Sequence, residues 1–196
     1  MSTKLKTQRL AVNGLLAALI CVISFLPLRT LGLEITFSLV PVAIGAALYG
    51  PTSGAILGGV FGTVSFIQCL GYSPFGAALF GINPLLCFVV CVPTRILAGF
   101  LAGLIFKGIS AIDKTKVISY AVTSLAAPLL NTVFFMSTLC FCFYNTEYIQ
   151  GFVETLGAVN PITFILLFVG INGLVEIISG FAIAFPASKA ISKAIK

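Results

Sequence analysis

Histidine and tryptophan are absent from the 196 residues, only five side chains are acidic, and charged residues make up 8% of the chain. Without histidine there is no Ser-His dyad, no HExxH zinc helix and no imidazole general base. The acids are Glu34, Asp113, Glu147, Glu154 and Glu176, and no two lie close enough in sequence to suggest a carboxylate-bridged metal pair. No GxxxxGK(S/T) segment occurs, so the usual phosphate loop of a nucleotide hydrolase is missing too. Ser179 is then a hydroxyl without a base, and the chain does not read as an enzyme. The shortage of charge excludes a soluble domain as well, because such domains carry about a quarter charged residues.

What is present is apolar: 59% of residues are hydrophobic and the mean hydropathy is +1.17. Each membrane span takes roughly 20 residues, so this length holds one compact all-α bundle as a single transmembrane domain with short loops. The N-terminal stretch MSTKLKTQRLAV is a basic arm running into an apolar segment with no convincing cleavage site, which reads as an uncleaved first span. Apolar runs broken by Gly, Pro, Asn and charge give spans at about 9–28, 37–49, 52–70, 84–106, 117–143 and 160–186. Only Gly50-Pro51 separates the second from the third, and charge parity decides that they are separate. With six spans, Lys4, Lys6, Arg9, Lys107, Lys114, Lys116, Lys189, Lys193 and Lys196 all fall on one side, nine of the eleven basic residues. That side is cytoplasmic by the positive-inside bias, and both termini lie there.

Asn83-Pro84 and Asn160-Pro161 each open a long apolar run, where Asn can cap free amides and Pro fits the first turn. Pro93 and Pro128 fall inside spans, where each removes a backbone bond and invites a kink or unwinding. The six cysteines, Cys21, Cys69, Cys87, Cys91, Cys140 and Cys142, sit in or beside apolar runs and read as small core hydrophobes. Cys87 and Cys91 share a helical face but lack the partners of a zinc site, so no metal or cofactor is expected.

Polar residues at membrane depth stand out, since an ionisable group there costs several kcal/mol unless paired or wetted. Arg95 lies roughly 17 Å into the fourth span and Glu176 roughly 24 Å into the sixth, at about 1.5 Å per residue. They form either a structural ion pair or a site in which Arg95 faces an anionic or carbonyl-bearing ligand. Asn131, Asn172 and Gln68 add neutral amides, and Asn172 with Glu176 shares one face of the last helix. Asn83 and Tyr72 stand at the outer entrances, with Phe37, Phe66, Phe75, Phe80, Tyr144 and Tyr148 as aromatic surfaces that either anchor the bundle or cover a solute. Small residues Ala11, Gly14 and Ala18 smooth one side of the first helix, and Gly54, Gly58 and Gly62 repeat the spacing in the third.

Over its whole length the chain resembles the substrate-binding S components of energy-coupling factor (ECF) transporters, the bacterial vitamin-uptake systems. The resemblance lies in the six spans, the basic N-terminus with RLAVNGLLAAL, the segment VPVAIGAALYGPTSGAILGGVFG and PTRILAGFLAGLIF in the fourth span. It implies a multi-pass protein of the bacterial plasma membrane that binds a small water-soluble vitamin from outside, under the first, third and fifth loops. It also implies partners: a membrane-embedded coupling protein and two cytoplasmic ATPases, with no role for nucleic acid. The family's Ala-xxx-Ala pattern in helix one, which meets the coupling protein, is matched here by Gly14 and Ala18. SPFGAALFGINP and Arg95 look most similar to pantothenate-type members, with riboflavin or pyridoxine as alternatives and a thiamin-type site disfavoured by the lack of His and Trp. A membrane scaffold without a bound solute is the rival from another class.

Overall fold

The computed structural model describes residues 3–26, 29–30, 33–34 and 37–194, and for residues 3–5, 29–30, 33–34 and 171–172 the backbone alone. Long unbroken runs rich in Leu, Ile, Val and Phe satisfy their own backbone hydrogen bonds in hydrocarbon as helices. The order is α1 (Thr3–Ser24), a two-residue antiparallel ladder of Arg29–Thr30 with Leu33–Glu34, α2 (Leu39–Tyr49), α3 (Pro51–Gln68), α4 (Pro74–Ile82) and α5 (Pro84–Ser110). Then come α6 (Val117–Phe143), α7 (Glu147–Thr155), α8 (Pro161–Ser179), a π-helical turn (Gly180–Ala184) and α9 (Phe185–Ala194). Among the described residues four helical stretches are long and apolar enough to cross a membrane: Lys6–Ser24, Pro84–Ser110, Val117–Phe143 and Gly173–Ala194. Leu39–Tyr49 and Pro161–Gly170 are apolar but shorter. Bulky apolar side chains such as Leu85, Phe141 and Leu166 stand exposed around the outside, an arrangement suited to lipid and not to water.

Gly50 breaks α2 from α3 at φ 79°, a left-handed value that glycine adopts without a Cβ penalty, and Pro51 starts the next helix. Asn83 Oδ1 accepts from the Leu85 and Leu86 amides, both at 3.1 Å, and so caps α5. Asn160 closes a capping box with Thr163 at the start of α8. The two segments expected as outer loops, 71–83 and 144–159, each contain a helix instead. α4 begins at the Ser73 cap before Pro74, and α7 begins at the Thr146 cap and buries Ile149 and Val153, one turn apart.

α3 lies against α5 more extensively than any other pair of elements. The reason is the glycine row: a Cβ on Gly54 would collide with the Gly99 carbonyl, one on Gly58 with the Arg95 carbonyl, and one on Gly62 would stand 2.7 Å from the Cys91 carbonyl oxygen. The row therefore serves internal packing and fixes α5, with Arg95 on it, at backbone distance from α3. The glycine-alanine face of α1 does the opposite. Ala11, Gly14 and Ala18 are exposed, and a Cβ on Gly14 would meet nothing within 4 Å.

Two buried clusters fill the bundle. One joins Phe75, Cys87, Met136, Leu139, Phe164 and their neighbours near the N-terminal half of α5, and the other joins Ile20, Val42, Leu57, Phe61 and Ala102. The expected kinks at Pro93 and Pro128 do not interrupt α5 or α6, which run through as continuous helices. The carbonyl that Pro93 leaves without its helical amide is that of Val89, and one and two residues further on the Val90 and Cys91 carbonyls also accept from the Thr94 hydroxyl and the Arg95 guanidinium. The backbone departs from helix in the last span instead, at Gly170 (φ 36°, ψ −126°).

Between α5 and α6 the turn is held by Asp113. Its carboxylate accepts from the Ser119 amide at 2.9 Å and from the Thr115 and Ser119 hydroxyls, and these bonds hold its pKa at about 2. The folded value lies below the unfolded one of about 3.9, so the stabilisation is complete above about pH 4 and is lost as pH falls through about 2. Amide-exchange protection at Ser119 is expected to drop on acidification from about pH 5 to about pH 2. An unchanged protection factor across that window would remove Asp113 from this role.

Candidate functional site

Beside the first of the two buried clusters the packing leaves a cavity of about 110 Å³. By volume it has room for about three or four waters at about 30 Å³ each, or for one compact solute. α3 contributes Ser65 and Gln68 to its wall, α4 contributes Phe75 and Leu79, α5 Cys91 and Arg95, α6 Asn131 and Phe135, and α8 Gly173 and Glu176. Five helices thus converge on a space that none of them could line alone.

Arg95 is 7% exposed, and its guanidinium lies between two rings, 5.0 Å from the centroid of Phe61 and 4.8 Å from that of Phe135. Cation-π contacts of this kind contribute on the order of 0.5–2 kcal/mol and hold the planar group in one orientation. One terminal nitrogen donates to the Val90 and Cys91 carbonyls, both at 3.0 Å, which curls the side chain back towards the start of α5. Its Nε is buried and has no hydrogen-bond partner. Asn131, also 7% exposed, likewise has a buried Oδ1 without a partner. A buried donor and a buried acceptor left open cost about 1–3 kcal/mol each, and here they belong to two residues on one cavity wall. They complement a solute that offers an acceptor to Arg95 and a donor to Asn131.

The remaining polar groups differ in how far they are committed. Glu176 lines the same cavity and is partly exposed. Gln68 lines it too, but its amide N–H donates to the Ser24 carbonyl at 2.5 Å, and Ser24 in turn shares a 2.8 Å bond with Ser38. The side chain of Asn172 lies outside the described residues. Asn83 and Tyr72 are not in the cavity wall: Asn83 spends its carbonyl on the α5 cap, and Tyr72 is 65% exposed with its ring against Phe25. Of the aromatic residues expected near the entrances, Phe75 is the one in the wall, backed by Tyr148, Phe152 and Phe168 at ring distances of 5.5–6.0 Å. Burial of Tyr148 on α7 against these rings raises its phenol pKa.

Sequence reasoning did not single out Ser65, Phe135 or Cys69. Phe135 sits in an unbroken apolar run and carries no local signal. Cys69 is brought by the end of α3 against Cys87 and Cys91, a meeting that spacing along the chain cannot show.

A five-helix cavity with an open guanidinium nitrogen, in a chain of membrane-spanning character, suits a solute-handling membrane protein. Residues 8–188 match the family described as ECF transporter, substrate-specific component. The chain belongs to that family. No curated protein matches it. That family is one of transporter subunits and not of enzymes. Membership also makes the chain a multi-pass membrane protein whose family works on a small-molecule substrate together with an ECF module of coupling protein and ATPases.

Proposed function

We propose that the cavity is the solute site of an ECF importer, a high-affinity site for a small water-soluble vitamin that reaches it from outside the bacterial plasma membrane. In this reading the chain spans the membrane six times with both termini cytoplasmic, so that the basic residues of the N-terminal arm, the α5–α6 turn and α9 lie on one side. Arg95, Asn131, Glu176 and Gln68 bind the solute, with Asn172 on the same helix as Glu176. The observation that carries the reading is the pair of buried, unpartnered atoms of opposite hydrogen-bonding sense, Arg95 Nε and Asn131 Oδ1, on one cavity wall.

Pantothenate is the solute that this chemistry favours. Its carboxylate suits a guanidinium, its hydroxyl and amide groups suit Asn131 and Gln68, and its slender chain suits a narrow cavity better than a three-ring flavin does. Mass spectrometry of small molecules carried through purification, followed by calorimetric titration, tests this. Pantothenate recovered at one per chain is the expected result. Recovery of riboflavin or pyridoxine would overturn the vitamin assignment, and no solute at all would favour a membrane scaffold.

The exposed face of Ala11, Gly14 and Ala18 on α1 is the surface proposed for the coupling protein, since small side chains let two helix backbones approach closely. Gly14→Leu and Ala18→Leu are expected to leave solute binding intact, because both positions are already exposed. Each should weaken association with the coupling module by about tenfold or more, the equivalent of about 1.4 kcal/mol. Equal recovery of the ATPases with wild type and both variants would rule this face out.

A further inference from the structure

At one side of the cavity three thiols meet. Cys69 caps the end of α3, Cys87 and Cys91 stand one turn apart on α5, and their sulfurs all lie within 4.8 Å of one another. The Cys69 and Cys91 sulfurs are 3.8 Å apart. All three residues are buried, at 5%, 0% and 4% exposure, and none is in a disulfide. Among the described residues this is the one group of three His, Cys, Asp or Glu side chains close enough to share an ion.

From this geometry we propose that Cys69, Cys87 and Cys91 form a trigonal site for one soft, thiophilic monovalent cation, of which Cu(I) is the type. Three sulfurs at about 2.3 Å from a common centre stand about 4 Å apart, so the observed spacing needs only small adjustments. The donor set is all sulfur, and the chain has no imidazole to offer, so it selects against hard cations. Zinc favours four ligands, whereas the described cluster supplies three. Binding replaces S–H bonds with S–Cu bonds, releases up to three protons and transfers no electron. Arg95 offsets part of the resulting negative charge, since its guanidinium is bonded to the Cys91 carbonyl at 3.0 Å. Cys69 and Cys91 also line the cavity, which gives an ion a way in. The close approach of α4 supports Cys69, because a Cβ on Gly76 would stand 2.6 Å from its sulfur. The inference goes beyond the vitamin reading, which gives the three sulfurs no role, although Arg95 and the cavity are common to both.

The test is anaerobic titration of the detergent-purified full chain with Cu(I) against a chromophoric Cu(I) chelator, with X-ray absorption of the loaded protein. One tightly held Cu(I) per chain and a shell of sulfur alone at about 2.3 Å are expected. Cys87→Ala keeps a small apolar side chain at a buried position and should lower the affinity about 100-fold or more. The variant C21S/C140S/C142S keeps the cluster and should bind like wild type. Failure of the wild type to compete with the chelator, a shell of nitrogen or oxygen, or undiminished affinity in folded Cys87→Ala would each overturn the site. Should Cys87→Ala not fold, the wild-type absorption spectrum decides by itself between a sulfur shell and none.

Discussion

Arg95→Met is expected to lower solute affinity by about 100-fold or more while leaving a folded monomer. Truncating one partner of a buried, hydrogen-bonded charge interaction costs about 2–5 kcal/mol, and Met keeps a long apolar stem between the Phe61 and Phe135 rings. Arg95→Lys keeps the charge but has no Nε and no planar fork, so it should recover only part of the affinity. Calorimetric titration of wild type and both variants, with the solute recovered from the wild type, reads the effect. Each melting temperature, measured without solute, separates binding from folding. Undiminished affinity in Arg95→Met would remove the guanidinium from the site. Loss of folding in both variants would make Arg95 a structural residue that braces α5 through the Val90 and Cys91 carbonyls.

Gly58→Leu is expected to be among the most damaging small-to-large changes in the bundle, together with leucine at Gly54 or Gly99. Its Cβ alone would run into the Arg95 carbonyl, and that atom belongs to backbone that cannot rotate away. Overpacking of side chains costs about 1–3 kcal/mol, and separation of two backbones that already touch at Gly54, Gly58 and Gly62 should exceed this. α5 would move off α3, carrying Arg95 and Cys91 away from the wall they form. A broadened or aggregated peak in size-exclusion chromatography, with loss of solute, is the expected outcome. Gly59→Ala next door is the control, because a Cβ there comes no closer than 3.5 Å to Ile96. A Gly58→Leu protein that melts like wild type would show that the helices have room to part.

Hydrocarbon makes polar side chains conspicuous, which is why Arg95, Asn131, Gln68 and Glu176 could be picked out of the sequence and are found on one cavity wall. The same logic found the breaks and caps, since Gly50-Pro51, Asn83-Pro84 and Asn160-Pro161 act through local backbone chemistry. Where the outcome depended on which surfaces meet, local reading stopped. Asn83 was read both as a cap and as a site residue, and its oxygen is taken by the free amides of α5. Prolines looked like the points of bending, but α5 and α6 run through Pro93 and Pro128, and the break falls at Gly170. α7 was readable in principle from Ile149 and Val153 at i and i+4, although nine residues give little more than two turns of pattern. Cys69 had no such signal, because its partners lie 18 and 22 residues further along, on a different helix.

The bond from Gln68 to Ser24 joins the cavity wall to the last turn of α1. Ala18 lies six residues before Ser24, about 9 Å along the same rigid rod. In the proposed reading, a solute that shifts Gln68 would pull on the helix whose far side is bare, and filling and docking would share one mechanical linkage. Thermodynamic reciprocity then requires that a partner gripping α1 alters the hold on the solute by the same factor by which the solute alters that grip.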